Sequence, residues 1–224
     1  MSNEFVVLDV ETTGLDPKKD KIVEIAAAWR HNGRLLYASN YINPGVPIPP
    51  DVSAITHIVD DDVKDAPTID QVVSVEGFPK GIIVAHNAPF DRGFLPQLHD
   101  RQWIDTLKLS KHLYPDSPNH KNMTLMYFLG LKPDRPADLA PHRALYDVLV
   151  TLAIFEYMLK SNSINDLLEL QSKPVLLKKA MFGKYKGQLW SSIDKTYLQW
   201  LLRQDDSGGI DEDIRHTAKY WLSH

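Results

Sequence analysis

Residues 5–15 have the sequence FVVLDVETTGL, an apolar run that ends in two carboxylates and a polar turn. A short run of apolar and β-branched residues with few polar breaks is typical of a strand that is buried on both faces. Because side chains alternate along a strand, Asp9 and Glu11 are predicted to lie on one face. The turn at Thr12–Gly14 places both acids at the carboxyl end of the strand, where open α/β sheets bind their ligands. Taken alone, the fragment is equally typical of solvated acids beside a surface turn.

The segments that follow predict a mixed α/β sheet. An Asn-Gly pair at residues 32–33 lies between two apolar runs and is a strong signal for a β-hairpin. A helix is predicted over residues 89–99, and short helices are predicted before residue 75. A hairpin followed by βα units indicates a mixed sheet with helices on both faces. The predicted strands cover residues 4–10, 22–31, 34–42, 81–85 and 102–104.

A second apolar run, GIIVAHNAPFD at residues 81–91, leads from a buried strand directly into a helix. Asn87 is a suitable N-cap residue, and Pro89 is favoured in the first helical turn. Asp91 is then predicted to lie in that first turn, facing the strand ends. On its own, Asp91 is better explained as an acid that stabilises the positive end of the helix dipole. Asp105, which starts a later helical pattern, is likewise interpreted as a structural acid rather than as a further metal ligand.

A third segment, HRALYDVLVTLAIFEYMLK at residues 142–160, has apolar residues at helical spacing. Asp147 lies beside this apolar stripe and is predicted to face inward, where a carboxylate needs a partner or a metal ion. His142 follows a loop at residues 132–141 whose prolines disfavour helix. A histidine at the edge of such a loop can approach and leave a site. Without Asp147 nearby, an ordinary exposed histidine would be the simpler interpretation.

Four carboxylates brought together repel one another unless cations neutralise them. Two unit charges about 4 Å apart cost on the order of 4 kcal/mol at an effective dielectric near 20. Oxygen ligands favour Mg²⁺ or Mn²⁺ over Zn²⁺, and two such ions about 3.5–4 Å apart suit the hydrolysis of a phosphodiester. A histidine, with a reference pKa near 6.5, can accept a proton from the attacking water. The chain has no cysteine, which excludes thiolate zinc sites, disulfides and cysteine nucleophiles.

The three segments resemble the DEDDh branch of the DnaQ-like 3′→5′ exonucleases. The matching motifs are DVETTGL at 9–15, HNAPFD at 86–91 and HRALYD at 142–147, within a resemblance that covers about residues 4–160. The sister branch has tyrosine four residues before its last aspartate, where this chain has Arg143. The resemblance implies a ribonuclease H-like fold, a mixed five-stranded sheet flanked by helices. It also implies two bound Mg²⁺ or Mn²⁺ ions and His142 as the general base, with the metal ligands Asp9, Glu11, Asp91 and Asp147.

The same resemblance implies where the terminal nucleotide binds. In the family, the segment that corresponds to residues 53–63 contacts this nucleotide, and the turn after the first motif lines its other side. Asp16 is a departure, because an acid where DNA would approach argues against a role for this turn in separating a duplex. A closer match to the exodeoxyribonuclease X family extends through FGKYKGQ at 182–188 and implies trimming of single-stranded and duplex DNA 3′ ends. The implied substrate-binding residues are Thr12, Thr13, Gly14, Leu15, His57, Ile58, Asn87 and Phe90.

The composition is that of an ordinary water-soluble protein. The 224 residues are 43% apolar and 24% charged, with a formal net charge of −4. The sequence has no apolar run of membrane-spanning length and no signal peptide, so a cytoplasmic location without membrane association is expected. Metal ions would neutralise four of the acids. The like-charged surface that remains predicts weak non-specific binding to DNA and a distributive enzyme.

Three regions are predicted, namely an exonuclease domain at 1–160, a helix and linker at 161–172, and a small C-terminal module at 173–224. Residues 173–188 contain five lysines, no acid and several aromatic residues. Such a stretch can follow a nucleic-acid backbone and stack on bases, or its aromatic residues can form the core of a small module. Both interpretations stay open for Lys184, Tyr185 and Lys186. Trp200 is predicted to lie in the module's core.

The preferred interpretation is a 3′→5′ exonuclease that acts on DNA in repair or end processing and releases nucleoside 5′-monophosphates. An exoribonuclease of the ribonuclease T or oligoribonuclease type stays open, because nothing in the five site residues distinguishes ribose from deoxyribose. Two further alternatives are a catalytically silent nucleic-acid-binding scaffold and a proofreading partner of a polymerase. The presence of all five site residues argues against the scaffold. The sequence predicts no particular protein partner.

Overall fold

A computed structural model describes residues 5–74, 77–134, 136, 139, 143–204 and 210–224. The strands in these residues are β1 (Phe5–Thr12), β2 (Ile22–His31), β3 (Arg34–Tyr41), β4 (Ile82–Ala85) and β5 (Trp103–Asp105). They form one sheet with the order β3-β2-β1-β4-β5. The β1–β2 and β2–β3 pairs are antiparallel, whereas the β1–β4 and β4–β5 pairs are parallel. The predicted mixed five-stranded sheet is confirmed.

The hairpin between β2 and β3 turns at the predicted Asn-Gly pair. Asn32 and Gly33 have φ angles of 50° and 78°. Two successive positive φ angles match the right-handed twist of the flanking strands, and asparagine and glycine tolerate them best. The hairpin therefore fixes the antiparallel register of β2 and β3.

Helices connect the strands and follow the sheet. Within the described ranges, no helix is both long and apolar enough to cross a lipid bilayer. Short 3₁₀ turns occupy Pro96–Leu98, Gly183–Tyr185 and Trp190–Ser192. The α-helices are α1 (Pro50–Thr56), α2 (Asp60–Val63), α3 (Ile69–Val72), α4 (Ala88–Phe94), α5 (Thr106–Leu113), α6 (Asn122–Phe128), α7 (Ala144–Met158), α8 (Ile164–Gln171), α9 (Lys195–Arg203) and α10 (Glu212–Ser223).

The two faces of β1 have different neighbours. Leu8 packs into a core cluster that includes Phe94 of α4. The opposite face is covered by α7, as the edge-to-face contact of the Phe5 and Phe155 rings shows, with 4.8 Å between ring centroids. Because side chains alternate, Asp9 lies on the same face as Phe5. The first carboxylate of the sequence motif therefore lies on the face that packs against α7.

Two helix predictions differ from the structure. The helix predicted over residues 89–99 ends at Phe94, because Pro96 disfavours a helical conformation of Leu95, whose φ and ψ are −122° and 66°. The residues of the apolar stripe predicted for α7 are buried as expected, but the buried surface extends beyond that stripe. Buried side chains surround α7 on nearly every side, as expected for a helix inside a core.

The described chain divides into two compact units. The first unit contains Met1–Leu107 and Lys121–Asn162, and the second contains Lys108–His120 and Ser163–His224. The second unit thus includes most of α5 in addition to the C-terminal segment. Its core forms around the buried Trp190, together with Leu198 and Leu201 of α9 and Ile214 of α10. The predicted boundaries at residues 160 and 172 stay a prediction.

Trp200 does not belong to this core. Its side chain is 49% exposed, whereas Leu198 and Leu201 on the same helix are 1% and 0% exposed. An α-helix turns by about 100° per residue, so Trp200 lies about 200° around the helix from Leu198. The predicted core position of Trp200 was therefore wrong, and a large aromatic ring faces solvent on α9.

Candidate active site and metal centre

Three of the predicted site carboxylates meet beside the end of β1. Asp9 and Glu11 lie on one face of this strand, and Asp147 lies in the first turn of α7. Each residue offers a carboxylate oxygen, and these three atoms lie within 4.8 Å of one another. All three residues are partly exposed. The group can therefore be reached from solvent by a cation or a substrate.

The end of β1 is irregular at this group. Glu11 is paired with Glu24 of β2, but Thr12 is paired with Ile22, so the register shifts between Glu11 and Thr12. A bulge of this kind redirects side chains and is common next to active sites. It separates the strand that carries the two acids from the turn that follows.

Asp91 lies next to the three-carboxylate group. It is in the first turn of α4, as predicted, and is only 2% exposed. Its Oδ1 accepts a hydrogen bond from the Val10 amide at 3.2 Å, which ties the start of α4 to β1. Its negative charge is one of the causes that raise the pKa of Asp9. The fourth predicted ligand is therefore close enough to act electrostatically on the same centre.

The segment before α4 differs from its prediction in one respect. Asn87 is the N-cap residue of α4, as predicted, but it has a left-handed conformation, with φ of 73°, and its side chain makes no capping hydrogen bond. Its amide instead donates to Asp105 Oδ1 at 3.0 Å. The same oxygen accepts from the Leu107 amide at 2.9 Å, at the start of α5. Asp105 therefore has the structural role predicted for it, and its charge also raises the pKa of Asp91. That Asp105 is not a further metal ligand stays a prediction.

Burial and mutual repulsion disfavour the charged forms of the site carboxyls. Removal from water raises the pKa of Asp9 most strongly, and the charges of neighbouring carboxylates raise it further. Burial, followed by the charges of Asp147 and Glu24, raises the pKa of Glu11 to about 8. Burial also raises the pKa of Asp91, although hydrogen bonds from backbone amides lower it. A cation would favour the ionised forms, and a donor set made only of oxygens fits divalent Mg²⁺ or Mn²⁺.

Without divalent ions, the protein is expected to lose stability as the pH rises from 4.5 toward 8. The reason is that Glu11, with an ordinary pKa of 4.5 and a pKa of about 8 in the folded chain, holds its proton more tightly when folded. Its contribution to the free energy of unfolding is therefore complete below pH 4.5 and is lost as the pH rises through 8. Thermal unfolding in a chelating buffer measures this slope. Divalent ions should restore stability most at the high-pH end, because they bind the ionised carboxylates.

Glu11→Gln is the control for this slope. Burial lowers the pKa of His112 and of His120, which gives the opposite pH dependence below their ordinary pKa of 6.5. The histidines contribute equally to the slope of stability against pH in both proteins. The difference in slope between wild type and Glu11→Gln therefore measures the contribution of the Glu11 carboxyl alone. Identical slopes for the two proteins would show that the pH dependence of stability does not come from the raised pKa of Glu11.

An ion pair behind the site, with a buried carboxylate and a partly exposed guanidinium, was missed by the sequence analysis. Glu24 on β2 is 1% exposed. Its carboxylate accepts hydrogen bonds from Arg143 Nε at 3.1 Å, Arg143 Nη2 at 2.9 Å and the Ala144 amide at 3.1 Å. Ser39 Oγ donates a further bond at 3.1 Å. The Arg143 guanidinium also lies over the Tyr41 ring, 5.1 Å from its centroid. The only sequence signal was a single acid within the apolar strand segment IVEIAAA.

This pair fixes the residue that precedes α7. The Asp147 amide donates to the Arg143 carbonyl at 3.2 Å, so the last carboxylate of the site lies one turn beyond the anchored residue. The Glu24–Arg143 pair therefore positions Asp147 against β1. The predicted base, His142, precedes Arg143 in the sequence and lies outside the described residues.

Replacing Glu24 by glutamine is expected to destabilise the fold by about 1.5–3 kcal/mol and to lower hydrolytic activity, because a buried carboxylate loses its charge-assisted hydrogen bonds while the 31% exposed Arg143 side chain can still be hydrated. Denaturant unfolding and turnover measurements test this. Glu156→Gln is a matched control, since Arg30–Glu156 also joins β2 to α7 but its side chains are 37% and 33% exposed. Its expected cost is at most about 1 kcal/mol. Equal losses in both variants would rule out a special role for Glu24.

Hydrogen bonds between side chains and backbone hold the turn after β1. Thr12 Oγ1 donates to the Gly14 carbonyl at 2.5 Å, and Thr13 Oγ1 accepts from the Lys21 amide at 3.0 Å. Both threonines are buried, whereas Leu15 is 84% exposed. Of the predicted substrate contacts in this turn, Leu15 is therefore the one whose apolar side chain faces solvent.

The same turn explains Gly14 and Asp16. A Cβ atom at Gly14 would lie 2.4 Å from Asp20 Oδ2, so the close approach of that carboxylate requires glycine. Asp20 Oδ2 accepts from the Asp16 amide at 2.8 Å, and Asp16 Oδ1 accepts from the Lys18 amide at 3.0 Å. Asp16 therefore has a structural role in shaping the turn.

The remaining predicted substrate contacts differ in their exposure. His57 is exposed and ends α1 in a left-handed conformation, with φ of 58°. Ile58 is 0% exposed and belongs to a core cluster with Ile48. The Ile58 side chain is therefore part of the core, and its expected contact with a nucleotide stays a prediction. Phe90 is partly buried, and its ring centroid lies 5.1 Å from that of Phe94.

Comparison with known proteins places the chain in a family. The family model RNase_T, described as exonuclease, matches residues 6–155. Exodeoxyribonuclease 10 of Escherichia coli (strain K12) is 33% identical over 224 residues, which cover 97% of this chain and 98% of that protein. The solved structure of Exonuclease X in complex with 5′ overhanging duplex DNA is 32% identical, with a TM-score of 0.67, and the match covers 75% of this chain and 99% of that one.

A second kind of relative shares the exonuclease region alone. The PolC-type DNA polymerase III of Caldanaerobacter subterraneus subsp. tengcongensis is 38% identical over 170 residues, which cover 71% of this chain but 12% of the polymerase. The matched family region contains all three acidic motifs, and members of the family use divalent metal ions. The chain therefore belongs to the family of DnaQ-like exonucleases, as its motifs predicted.

Proposed function

We propose that this chain is a 3′→5′ exonuclease that hydrolyses DNA with two Mg²⁺ or Mn²⁺ ions and releases nucleoside 5′-monophosphates. The observation that carries the proposal is the group of Asp9, Glu11 and Asp147, whose ligand atoms lie within 4.8 Å of one another. The raised pKa of Glu11, about 8, supports it. Carboxylates whose ionisation is disfavoured by their surroundings are typical of functional sites.

Each residue of the centre has a proposed role. Asp9, Glu11 and Asp147 would hold the ions, with Asp91 adjacent to them. Bound divalent ions supply charge neutralisation at the attacked phosphate and at the leaving oxygen. His142 would accept a proton from the attacking water. The water oxygen bonds to phosphorus as the P–O3′ bond breaks, which leaves a phosphate on the 5′ oxygen of the released nucleotide and a hydroxyl on the new 3′ end.

Two similarities support DNA as the substrate. A relative that matches nearly the whole chain is an exodeoxyribonuclease, and a structural neighbour of similar identity was solved with 5′ overhanging duplex DNA. Single-stranded DNA and the 3′ ends of duplexes are therefore the proposed substrates, in repair or end processing. A cytoplasmic location stays part of the proposal.

Matched 5′-labelled DNA and RNA oligonucleotides, incubated with Mg²⁺, test this function. A ladder of products shortened from the 3′ end is expected on DNA and is expected to be absent with Asp9→Asn or with a chelator. A ladder on RNA alone would instead support an exoribonuclease. No hydrolysis of either strand, with binding retained, would support a silent scaffold.

A further inference from the structure

The second unit has an ordered aromatic surface that the metal centre does not explain. The rings of Tyr185 and Tyr197 meet edge to face with 4.8 Å between centroids, and Tyr197 stacks on Trp200 at 5.2 Å and 26°. The Lys184 ammonium lies 4.8 Å and 5.1 Å from the two tyrosine centroids. The Trp200 ring is 49% exposed. These four residues, Lys184, Tyr185, Tyr197 and Trp200, are named the aromatic platform below.

The local backbone is shaped to form this platform. Gly183 has a φ of +63°, which glycine adopts without strain, and a Cβ atom there would lie 2.7 Å from the Tyr197 hydroxyl, so glycine lets the loop approach α9 without displacing the Tyr197 ring. The Gly187 amide donates to the Ala180 carbonyl at 2.7 Å and closes the loop. Asp194 caps α9 by accepting from the Thr196 amide at 2.7 Å. The rings are thus held in place before any ligand arrives, which reduces the entropy cost of binding.

The platform lies in a locally basic part of an acidic chain. Residues 173–193 contain five lysines and no acid, although the whole chain has a net charge of −4. Lys173 and Lys178 are paired with Glu169 and Asp116, so the positive charge offered to a ligand at the platform is that of Lys184 and Lys186. Lys184 of the platform is exposed, as is Lys186, two residues further along the chain. The nearest acid in sequence, Asp194, already accepts hydrogen bonds from Thr196, and Lys184 also contributes to its lowered pKa. Positive charge next to an exposed aromatic face is complementary to a phosphate backbone with unstacked bases.

We propose that the aromatic platform binds single-stranded DNA, with one base stacked on the exposed face of Trp200 and adjacent phosphates held by Lys184 and Lys186. The proposal rests on the proposed function insofar as that function makes single-stranded DNA the substrate. A second contact at the platform raises the affinity for strands that are long enough to occupy the metal centre and the platform together. It does not change the chemical step. It would compensate for the like-charged surface of the rest of the chain.

Binding of the full-length protein to fluorescent single-stranded DNA in a chelating buffer tests the proposal without hydrolysis. Trp200→Ala is expected to weaken binding of a strand of about 30 nucleotides roughly tenfold, whereas Trp200→Phe retains a stacking ring and most of the affinity. Tyr220→Ser is the matched control, because Tyr220 is a 36% exposed aromatic residue of the same unit outside the platform. Circular dichroism melting verifies that each variant is folded.

The salt dependence of binding tests the lysines separately. The double variant Lys184→Gln, Lys186→Gln is expected to lower the slope of log affinity against log salt by about 1.4, the value for two phosphate contacts on a single strand. Lys219→Gln, an exposed lysine on α10, should leave the slope unchanged. If the double variant and Lys219→Gln have the same slope, the proposal that Lys184 and Lys186 contact phosphates is wrong.

Hydrolysis with Mg²⁺ separates this proposal from the proposed function. Turnover on a strand of about four nucleotides should be the same in Trp200→Ala and wild type, because the platform takes no part in the chemistry. Equal binding of long strands by Trp200→Ala and Tyr220→Ser overturns the platform, even if the protein is an active nuclease. An equal loss of activity on short and long strands also overturns it. A wild-type protein that hydrolyses nothing, but loses affinity with Trp200→Ala, leaves the platform intact and refutes the nuclease.

Discussion

Replacing Asp147 by asparagine is expected to lower the rate of phosphodiester hydrolysis by about 10³-fold or more, because each 1.4 kcal/mol of lost transition-state stabilisation costs a factor of ten and metal ions contribute several. The metal-free variant should also be more stable than wild type at high pH. The charge of Asp147 is one of the causes that raise the pKa of both Asp9 and Glu11, so its removal relieves repulsion. Rate measurements with Mg²⁺ and thermal unfolding in a chelator test the two effects on the same protein.

Asp105→Asn is the control for this experiment. Asp105 Oδ1 accepts two backbone hydrogen bonds, which an asparagine oxygen can also accept. This variant should therefore keep most of the activity, and a loss as large as that of Asp147→Asn would make Asp105 a further ligand. Near-full activity of Asp147→Asn would instead show that the three-carboxylate group is not the catalytic metal centre.

The parts of the site that could be predicted from sequence are those coded by local pattern. Strand alternation places Asp9 and Glu11 on one face, and the proline-rich loop before residue 142 limits where α7 can begin. Asp91 was placed in the first turn of α4 by the residues around it. Each of these inferences needs only a short window of sequence, and each agrees with the structure.

Long-range partners could not be predicted in the same way. Glu24 and Arg143 are far apart in the chain, and nothing local identifies them as a pair. An acid inside an apolar strand is a signal that a buried charge needs a partner, but it does not identify that partner. Ile58 illustrates a related limit, because a single apolar residue among polar neighbours can face either the core or a ligand. Only the packing with Ile48 decides that it belongs to the core.

Trp200 shows that helical geometry must be applied residue by residue. The segment YLQWLL is apolar enough to predict burial of its tryptophan. The turn of about 100° per residue nevertheless places that ring nearly opposite Leu198 and about 100° away from Leu201, the two core leucines of the helix. The exposed position leaves one face of the ring free for the stacking role proposed above.

Replacing His142 by alanine is expected to lower turnover by about 10²–10⁴-fold with little change in metal binding, because the general base is lost while the carboxylate ligands remain. The pH–rate profile gives the sharper test. A histidine base gives an acidic limb near its reference pKa of about 6.5, since only neutral imidazole accepts the proton. In the alanine variant this limb should disappear. His216→Ala, an exposed histidine on α10, should keep the wild-type profile.

The pH–rate profile should distinguish Glu24→Gln from His142→Ala. Glu24→Gln acts through the position of Asp147, so it should lower turnover and stability while the acidic limb keeps its midpoint. His142→Ala removes the titrating group, so it should change the shape of the profile while stability is retained. An acidic limb that persists unchanged in His142→Ala would assign the proton transfer to another group. The proposed mechanism would then keep its metal centre but lose its base.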